Sequence, residues 1–240
     1  MRESKETINP LIFKSQEPLN QLLSGLSIFH FEPNLKGKVT SEKHEAADHV
    51  SIEVNSEKAK GESMSNIWHN INPARINPDD FIAVIEIEKG SKNKYELDKE
   101  TGNIILDRIL HTSTHYPANY GLIPRTLADD DDPLDVLVLC SETIHPLSLV
   151  RCYPIGVISM MDSGKLDEKI IAIPFSDPTY NSYKDISELP KHIFDEMRHF
   201  FQVYKSLEGK ETVVNEVQGP EEARAIIEKC REAYIEKFCK

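Results

Sequence analysis

The segment Asp129 to Asp135 constrains this chain more than any other stretch of its 240 residues. It holds five aspartates and leads directly into the apolar run Val136 to Cys140, which has the composition of a buried strand. An unpaired carboxylate within a β pattern, such as that of Asp135, is costly unless a cation lies nearby. The segment therefore predicts a metal site, with a solvated acidic loop as the plainer alternative.

The oxygen-only donors of this segment favour Mg²⁺, Mn²⁺ or Ca²⁺ over Zn²⁺, which prefers nitrogen and sulfur. An EF-hand does not fit the register. Counting from Asp130, the sixth position is Asp135 where glycine is required, and the twelfth is Ser141 where glutamate is required.

A second charged segment, Asp162 to Lys169, joins the strand-like runs Leu149 to Ser159 and Glu168 to Ile173, and predicts a hairpin loop. By itself it is typical of an ordinary turn. If both acidic segments lie over the mouth of one barrel, four or five aspartates converge there, as a two-metal phosphoryl-transfer site requires.

The chain after Trp68 predicts an α+β fold, in which short strands close a small barrel and two helices follow. The predicted strands are Phe81 to Glu88, Ile104 to Leu106, Leu134 to Cys140, Leu149 to Ser159 and Glu168 to Ile173. Apolar residues at helical spacing predict one helix over Pro190 to Tyr204 and a second after Gly219.

Residues 1–63 predict a low-complexity arm, disordered or dispensable, ahead of a domain over 64–240. Glu32 to Ser63 has no aromatic residue and cannot bury much surface. The apolar patch Leu19 to Phe31 leaves open that the arm docks onto the domain. A transit peptide is disfavoured because the arm has one arginine, Arg2, and many acids.

The formal charge of −12, from 28 basic and 40 acidic residues, disfavours nucleic acid and anionic membranes as partners. No apolar run approaches the roughly 18 residues of a spanning helix, and no signal peptide opens the sequence, so we expect a cytoplasmic protein. The four cysteines show no CxxC pairing and are expected to be reduced.

Several basic and phenolic side chains are of the types that bind phosphate, since guanidinium and ammonium groups neutralise it and a phenol donates without adding charge. They are Lys94, Arg108, Lys169, Lys205, Tyr120 and Tyr204.

These motifs together resemble the signature of the soluble family I inorganic pyrophosphatases. The resemblance covers about Trp68 to Tyr234 and is specific, because many separate polar positions agree in order. The matching motifs are IEI with Glu86, KYELD with Lys94 and Glu96, DR with Asp107 and Arg108, YPANYG with Tyr116 and Tyr120, DDDPLD with Asp130, Asp132 and Asp135, the Asp162, Asp167 and Lys169 loop, and the Tyr204-Lys205 pair.

The resemblance implies an OB-like closed barrel of about five strands with C-terminal helices. It also implies that Mg²⁺, with Mn²⁺ as a substitute, supports hydrolysis of inorganic diphosphate to two orthophosphates by an activated water. The implied metal ligands are Asp130, Asp135, Asp162 and Asp167. The implied catalytic residues are Asp132, as proton acceptor, with Glu86 and Tyr120; the implied substrate ligands are Lys94, Arg108, Tyr120, Lys169, Tyr204 and Lys205, and Glu96 supports them.

Two other functions stay open from the residues alone. One is hydrolysis of a larger diphosphate, although the chain lacks a glycine-rich nucleotide cradle. The other is a non-catalytic, metal-binding barrel of the oligonucleotide-binding kind, although single-strand grooves are basic. The resemblance also implies a homo-oligomer, with a hexamer favoured over a dimer.

Overall fold

The computed structural model describes residues 66–162 and 164–240. The predicted arm, residues 1–63, lies outside this part of the chain, so the two-part domain organisation stays a prediction. Within the described residues, no helix combines the length and the apolar composition needed to cross a bilayer. Cys140, Cys152, Cys230 and Cys239 carry free thiols.

The described residues form nine strands and three α-helices, joined by short 3-10 turns. The strands are β1 (Ile76–Asn77), β2 (Asp80–Ile87), β3 (Asn93–Leu97), β4 (Ile104–Ile109), β5 (Asn119–Leu122), β6 (Asp135–Val138), β7 (Leu149–Asp162), β8 (Lys165–Pro174) and β9 (Thr212–Gln218). The helices are α1 (Ile67–Asn70), α2 (Lys191–Val203) and α3 (Pro220–Phe238).

Five strands close a barrel in the order β2, β5, β6, β8, β7 and back to β2. All neighbours in this ring are antiparallel except β6 and β8, which run parallel. Strands β1 and β9 extend the sheet beyond the ring, and β3 and β4 form a separate hairpin. The predicted closed barrel of about five strands with flanking C-terminal helices is therefore confirmed.

The continuous apolar run in β6 reflects burial of both faces of the barrel wall. Leu137 and Leu139 belong to the core that includes the apolar face of α2. Val136 and Val138 belong to a second core, which includes the face of α3 at Ile227. Each helix thus covers a different part of the same apolar wall.

The predicted elements differ from the structure mainly in two ways. Some predicted strands are too short, and several short or partly polar strands were not predicted. Strands β7 and β8 extend further towards each other than predicted, so Asp162 lies on β7 and Asp167 on β8 and not in a loop. Helix α2 begins one residue after Pro190, which is its N-cap. Strands β1, β3, β5 and β9 were not predicted, since β1 has two residues, β3 is only half buried and β5 has four residues.

Gly121 in β5 allows close approach to β2. A Cβ at this position would lie 1.9 Å from the carbonyl oxygen of Val84, which is backbone and has no freedom to move aside. We predict that Gly121→Ala destabilises the protein by about 3 kcal/mol or more, at the upper end of overpacking costs. Urea unfolding measures this loss.

The control is Gly219→Ala, where the added Cβ would meet its nearest neighbouring atom, Oδ2 of Asp185, at an ordinary 3.6 Å. Its expected cost is below about 1 kcal/mol, as for a changed helix N-cap. Equal stabilities of the two variants would contradict the close-approach argument.

Candidate active site

A cavity of about 320 Å³ lies where the barrel, the β3–β4 hairpin and the end of α2 meet. It is lined by twelve of the thirteen residues that the sequence predicted for the site, and Arg108 is the exception. Its acidic lining residues are Glu86, Glu96, Asp130, Asp132, Asp135, Asp162 and Asp167; its basic ones are Lys94, Lys99, Lys169 and Lys205; Tyr95, Tyr120 and Tyr204 are its phenols.

Lys169 occupies the centre of the acidic group. It is the register partner of Asp135 across the parallel β6–β8 pair, and its Nζ lies 2.6 Å from Oδ2 of Asp135 and 2.8 Å from Oδ1 of Asp167. The Lys169 side chain is only 3% exposed. Burial by itself would lower the pKa of Lys169, but the two carboxylates raise it well above its usual value, so the ammonium stays charged.

Tyr120 completes this group from β5. Its hydroxyl donates to Asp135, and Nζ of Lys169 donates to the same hydroxyl at 3.3 Å. Burial, reinforced by the charge of Asp135, raises the pKa of Tyr120 well above its usual value. Tyr120 therefore serves as a neutral hydrogen-bond donor and not as a base.

Glu86 is a buried carboxyl group on β2 and is 6% exposed. Burial, with repulsion from Asp135, raises the pKa of Glu86 to about 8 even though the backbone N–H of Leu97 donates to its Oε1 at 2.8 Å. Burial also raises the pKa of Asp135, to about 6, against the attraction of Lys169. With no metal bound, Glu86 is therefore largely protonated at neutral pH.

The acidic run forms a tight turn that separates its aspartates into two sets. The backbone N–H of Ala128 donates to the carbonyl of Asp132 at 2.8 Å, and Asp131 adopts the left-handed conformation with φ 74°. As a result Asp130, Asp132 and Asp135 line the cavity.

The other two aspartates of the run face α3. Asp129 lies 2.9 Å from Lys229, and Asp131 lies 2.8 Å from Lys237. These pairs are substantially exposed and contribute little to stability individually. The solvated-loop interpretation thus fits Asp129 and Asp131, whereas Asp130, Asp132 and Asp135 line the cavity.

Two elements bring further cations to the cavity. On β3, Lys94 lies beside Glu96 and 3.3 Å from Asp107 of β4. At the end of α2, Tyr204 is buried and Lys205 pairs with Asp162.

Arg108 lies opposite Lys94 in the hairpin register but is not one of the cavity-lining residues. Its Nε donates to Oε1 of Glu208 at 2.9 Å, and its Nη1 donates to Asp107.

Sequence reasoning missed Lys99 and Glu208. Lys99 lines the cavity, pairs with Asp132 and lies 5.9 Å from the ring centroid of Trp68. It directly follows the KYELD motif, which is the only sequence signal that pointed to its region. Glu208 is 100 residues from Arg108, so no spacing rule could have joined the two.

The cavity suits hard divalent cations in its donor chemistry, because its five aspartates offer only oxygen and no histidine or cysteine lines it. Over residues 66–162 and 164–240, no three or more acidic, histidine or cysteine side chains are already arranged around a single metal position. The carboxylates instead contact lysines, such as Lys169 between Asp135 and Asp167. The residues thus fit such ions if these carboxylates turn from their lysine partners.

Comparisons with known proteins point to one family. The family model described as inorganic pyrophosphatase matches residues 83–235. Soluble inorganic pyrophosphatase 2 of Chlamydomonas reinhardtii is 47% identical over 176 residues, which cover 73% of this chain and 92% of the relative. Soluble inorganic pyrophosphatase 1 of Arabidopsis thaliana is 47% identical over 169 residues, covering 70% and 80%.

Solved structures give the same result for the fold. The inorganic pyrophosphatase of Helicobacter pylori superposes with a TM-score of 0.64 at 44% identity, covering 66% of this chain and 95% of that one. The enzyme of Thermus thermophilus superposes with a TM-score of 0.68 at 35% identity, covering 71% and 99%.

We predict that Lys169→Met lowers the free energy of unfolding by about 3–5 kcal/mol in metal-free buffer, because it leaves Asp135 and Asp167 buried without their cation. Urea unfolding checks this value. The matched control is Lys165→Met, an exposed lysine on the same strand, which should leave stability nearly unchanged. A Lys169→Met protein as stable as this control would show that the two carboxylates do not depend on the lysine.

Proposed function

The chain belongs to the inorganic pyrophosphatase family and is an inorganic diphosphatase, and we propose that magnesium ions held by Asp130, Asp135, Asp162 and Asp167 support its reaction. The reaction is hydrolysis of inorganic diphosphate to two orthophosphates. Mn²⁺ is the expected substitute, since it shares the preference for oxygen ligands.

The balance of charge in the cavity carries the proposal for metal ions. Seven acidic side chains and four lysines line it, so without added cations it repels a polyanion. When bound, divalent ions would neutralise this excess, polarise the substrate and activate a water. The chain's own contribution is to hold acidic and basic groups at fixed positions around a small volume.

The size of the cavity supports a small substrate. Its volume of about 320 Å³ lies at the lower end of the roughly 300–1,000 Å³ typical of ligand sites. Inorganic diphosphate with its cations fits such a volume, whereas a nucleotide sugar exceeds it. The small volume disfavours cleavage of larger diphosphates, and membership of the pyrophosphatase family disfavours metal binding without catalysis.

We assign proton acceptance to Asp132. This carboxylate lines the cavity and is half exposed, with Lys99 as its partner. It is therefore accessible to a water, in contrast to Asp135, whose oxygen accepts from both Tyr120 and Lys169.

We assign phosphate binding to the basic residues and phenols around this carboxylate: Lys94, Arg108, Tyr120, Lys169, Tyr204 and Lys205. Buried charges and neutral phenols that are fixed before the substrate arrives stabilise developing charge without reorganisation. The Nη2 atom of Arg108 is buried and has no hydrogen-bond partner among the described residues, so a phosphate oxygen would satisfy this donor if diphosphate binding brings the guanidinium to the edge of the cavity. Glu86 and Glu96 support this group through Leu97 and Lys94.

The cytoplasmic location and the homo-oligomer, with a hexamer favoured over a dimer, remain predictions. Sedimentation of the purified full chain tests the second of these.

We predict that diphosphate hydrolysis requires a divalent cation and stops in excess chelator, since the acidic cavity repels the bare anion. Phosphate release is measured in chelator, with and without added Mg²⁺. Mg²⁺ should also raise the melting temperature, because it binds the folded state. Full-rate hydrolysis in excess chelator would refute the metal proposal.

We predict that Asp132→Asn lowers kcat by about 10²- to 10⁴-fold, as loss of a general base does, with a much smaller change in KM. Steady-state phosphate release gives both constants. The control is Asp131→Asn, a neighbour whose carboxylate pairs with Lys237 and does not line the cavity. The kcat and KM of this control should remain close to the wild-type values. An Asp132→Asn enzyme with the kcat of the wild type would show that Asp132 is not the base.

A further inference from the structure

A partly buried ion pair joins two parts of the chain on either side of the proposed phosphate-binding group. Nε of Arg108, on β4, donates to Oε1 of Glu208 at 2.9 Å. The side chains are 21% and 9% exposed, respectively, so this pair is far better shielded from water than the exposed ion pairs of α3.

The backbone fixes the position of Glu208 relative to Lys205. Glu208 lies in the 3-10 turn Ser206–Glu208 directly after α2, and its N–H donates to the carbonyl of Lys205 at 2.9 Å. Gly209 ends this turn in the left-handed conformation, with φ 69°, which glycine adopts without strain. The Glu208 carboxylate is thus tied to the segment that carries Tyr204 and Lys205.

Carboxylates already occupy two of the three nitrogen atoms of the Arg108 guanidinium. Nε donates to Glu208 and Nη1 donates to Asp107, while Nη2 is buried and has no hydrogen-bond partner in the described part of the chain. Because the guanidinium is planar and rigid, fixing two of its nitrogen atoms also fixes the direction of the third. A buried donor without a partner is rare in folded proteins and calls for a ligand or another explanation.

We propose that Glu208 is a positioning residue for diphosphate binding: it holds the Arg108 guanidinium so that Nη2 meets a phosphate oxygen, and it keeps the β3–β4 hairpin in register with the Tyr204–Lys205 end of α2. This inference rests on the proposed function. The role is geometric, because a second negative charge beside Arg108 by itself weakens attraction for an anion.

Three substitutions of Glu208 separate the effect of its side-chain length from the effect of its negative charge. Glu208→Asp keeps the charge and shortens the side chain by one methylene, so it no longer reaches Nε. Glu208→Gln keeps the reach and an acceptor oxygen but removes the charge. Glu208→Ala removes both. A positioning role predicts that the Asp and Ala variants bind diphosphate more weakly than the wild type. It also predicts that the Gln variant retains most of the wild-type affinity for diphosphate.

The measurement is KM for magnesium diphosphate and kcat, together with calorimetric binding of methylenediphosphonate, a diphosphate that is not hydrolysed. Glu208→Ala and Glu208→Asp should raise KM and weaken binding of this analogue by about 10- to 100-fold, as expected for a binding group displaced by about 1 Å. For Glu208→Gln, KM and the affinity for the analogue should stay within about threefold of the wild-type values. Glu211→Ala, an exposed acid nearby, is the unchanged control.

A double-mutant cycle with Arg108→Ala tests whether Glu208 acts through Arg108. In the Arg108→Ala background, Glu208→Ala should not change KM further, because the group that it positions is absent. A role in fold stability alone would lower the melting temperature of all the Glu208 variants in both backgrounds and leave analogue affinity unchanged in the folded fraction.

The outcomes are separable from those for the proposed function. A wild-type protein that releases no phosphate from diphosphate refutes that function. A wild-type protein that does so, with Glu208→Asp binding the analogue as tightly as wild type or Glu208→Gln binding it as weakly as Glu208→Ala, refutes the positioning role alone. If Glu208→Ala does not fold, the Asp and Gln variants still decide between reach and charge.

Discussion

The ammonium group of Lys169 is the point on which the rest of the site depends. It lies between Asp135 and Asp167, with the rings of Phe201 and Tyr120 at 5.2 and 5.4 Å. Without a buried cation these carboxylates would repel each other at a position from which water is largely excluded. The parallel register of β6 and β8 places Lys169 directly opposite Asp135. The contact between them therefore follows from strand pairing in the barrel.

The remaining elements of the site are arranged around this fixed centre. The hairpin of β3 and β4 brings Lys94 and Arg108 from one side, and the end of α2 brings Tyr204 and Lys205 from another. Apolar packing of α2 against the barrel wall determines where the helix ends. The ion pair of Arg108 with Glu208 connects the hairpin to that end, and these are the two elements that we propose bind phosphate.

This arrangement explains how an acidic protein can act on a polyanion. The cavity holds more carboxylates than ammonium groups, and its lysines already pair with those carboxylates. Asp130, Asp135, Asp162 and Asp167 would hold the divalent cations, whose charge would offset the excess of carboxylates when diphosphate binds. The donors that prevent mutual repulsion in the free protein are thus the same groups that we propose bind the substrate.

The sequence by itself determined the family, the closed barrel with C-terminal helices and nearly the whole lining of the cavity, because each depends on local order along the chain. Apolar runs such as Val136 to Cys140 predict strands, and the spacing of Asp130, Asp132 and Asp135 marks the chemistry. Only the tertiary structure showed where Asp129 and Asp131 go, because a left-handed turn at Asp131 separates them from the cavity and lets them pair with Lys229 and Lys237 of α3. It also decided the contact of Arg108 with Glu208, since a pair 100 residues apart is brought together by packing and not by sequence spacing.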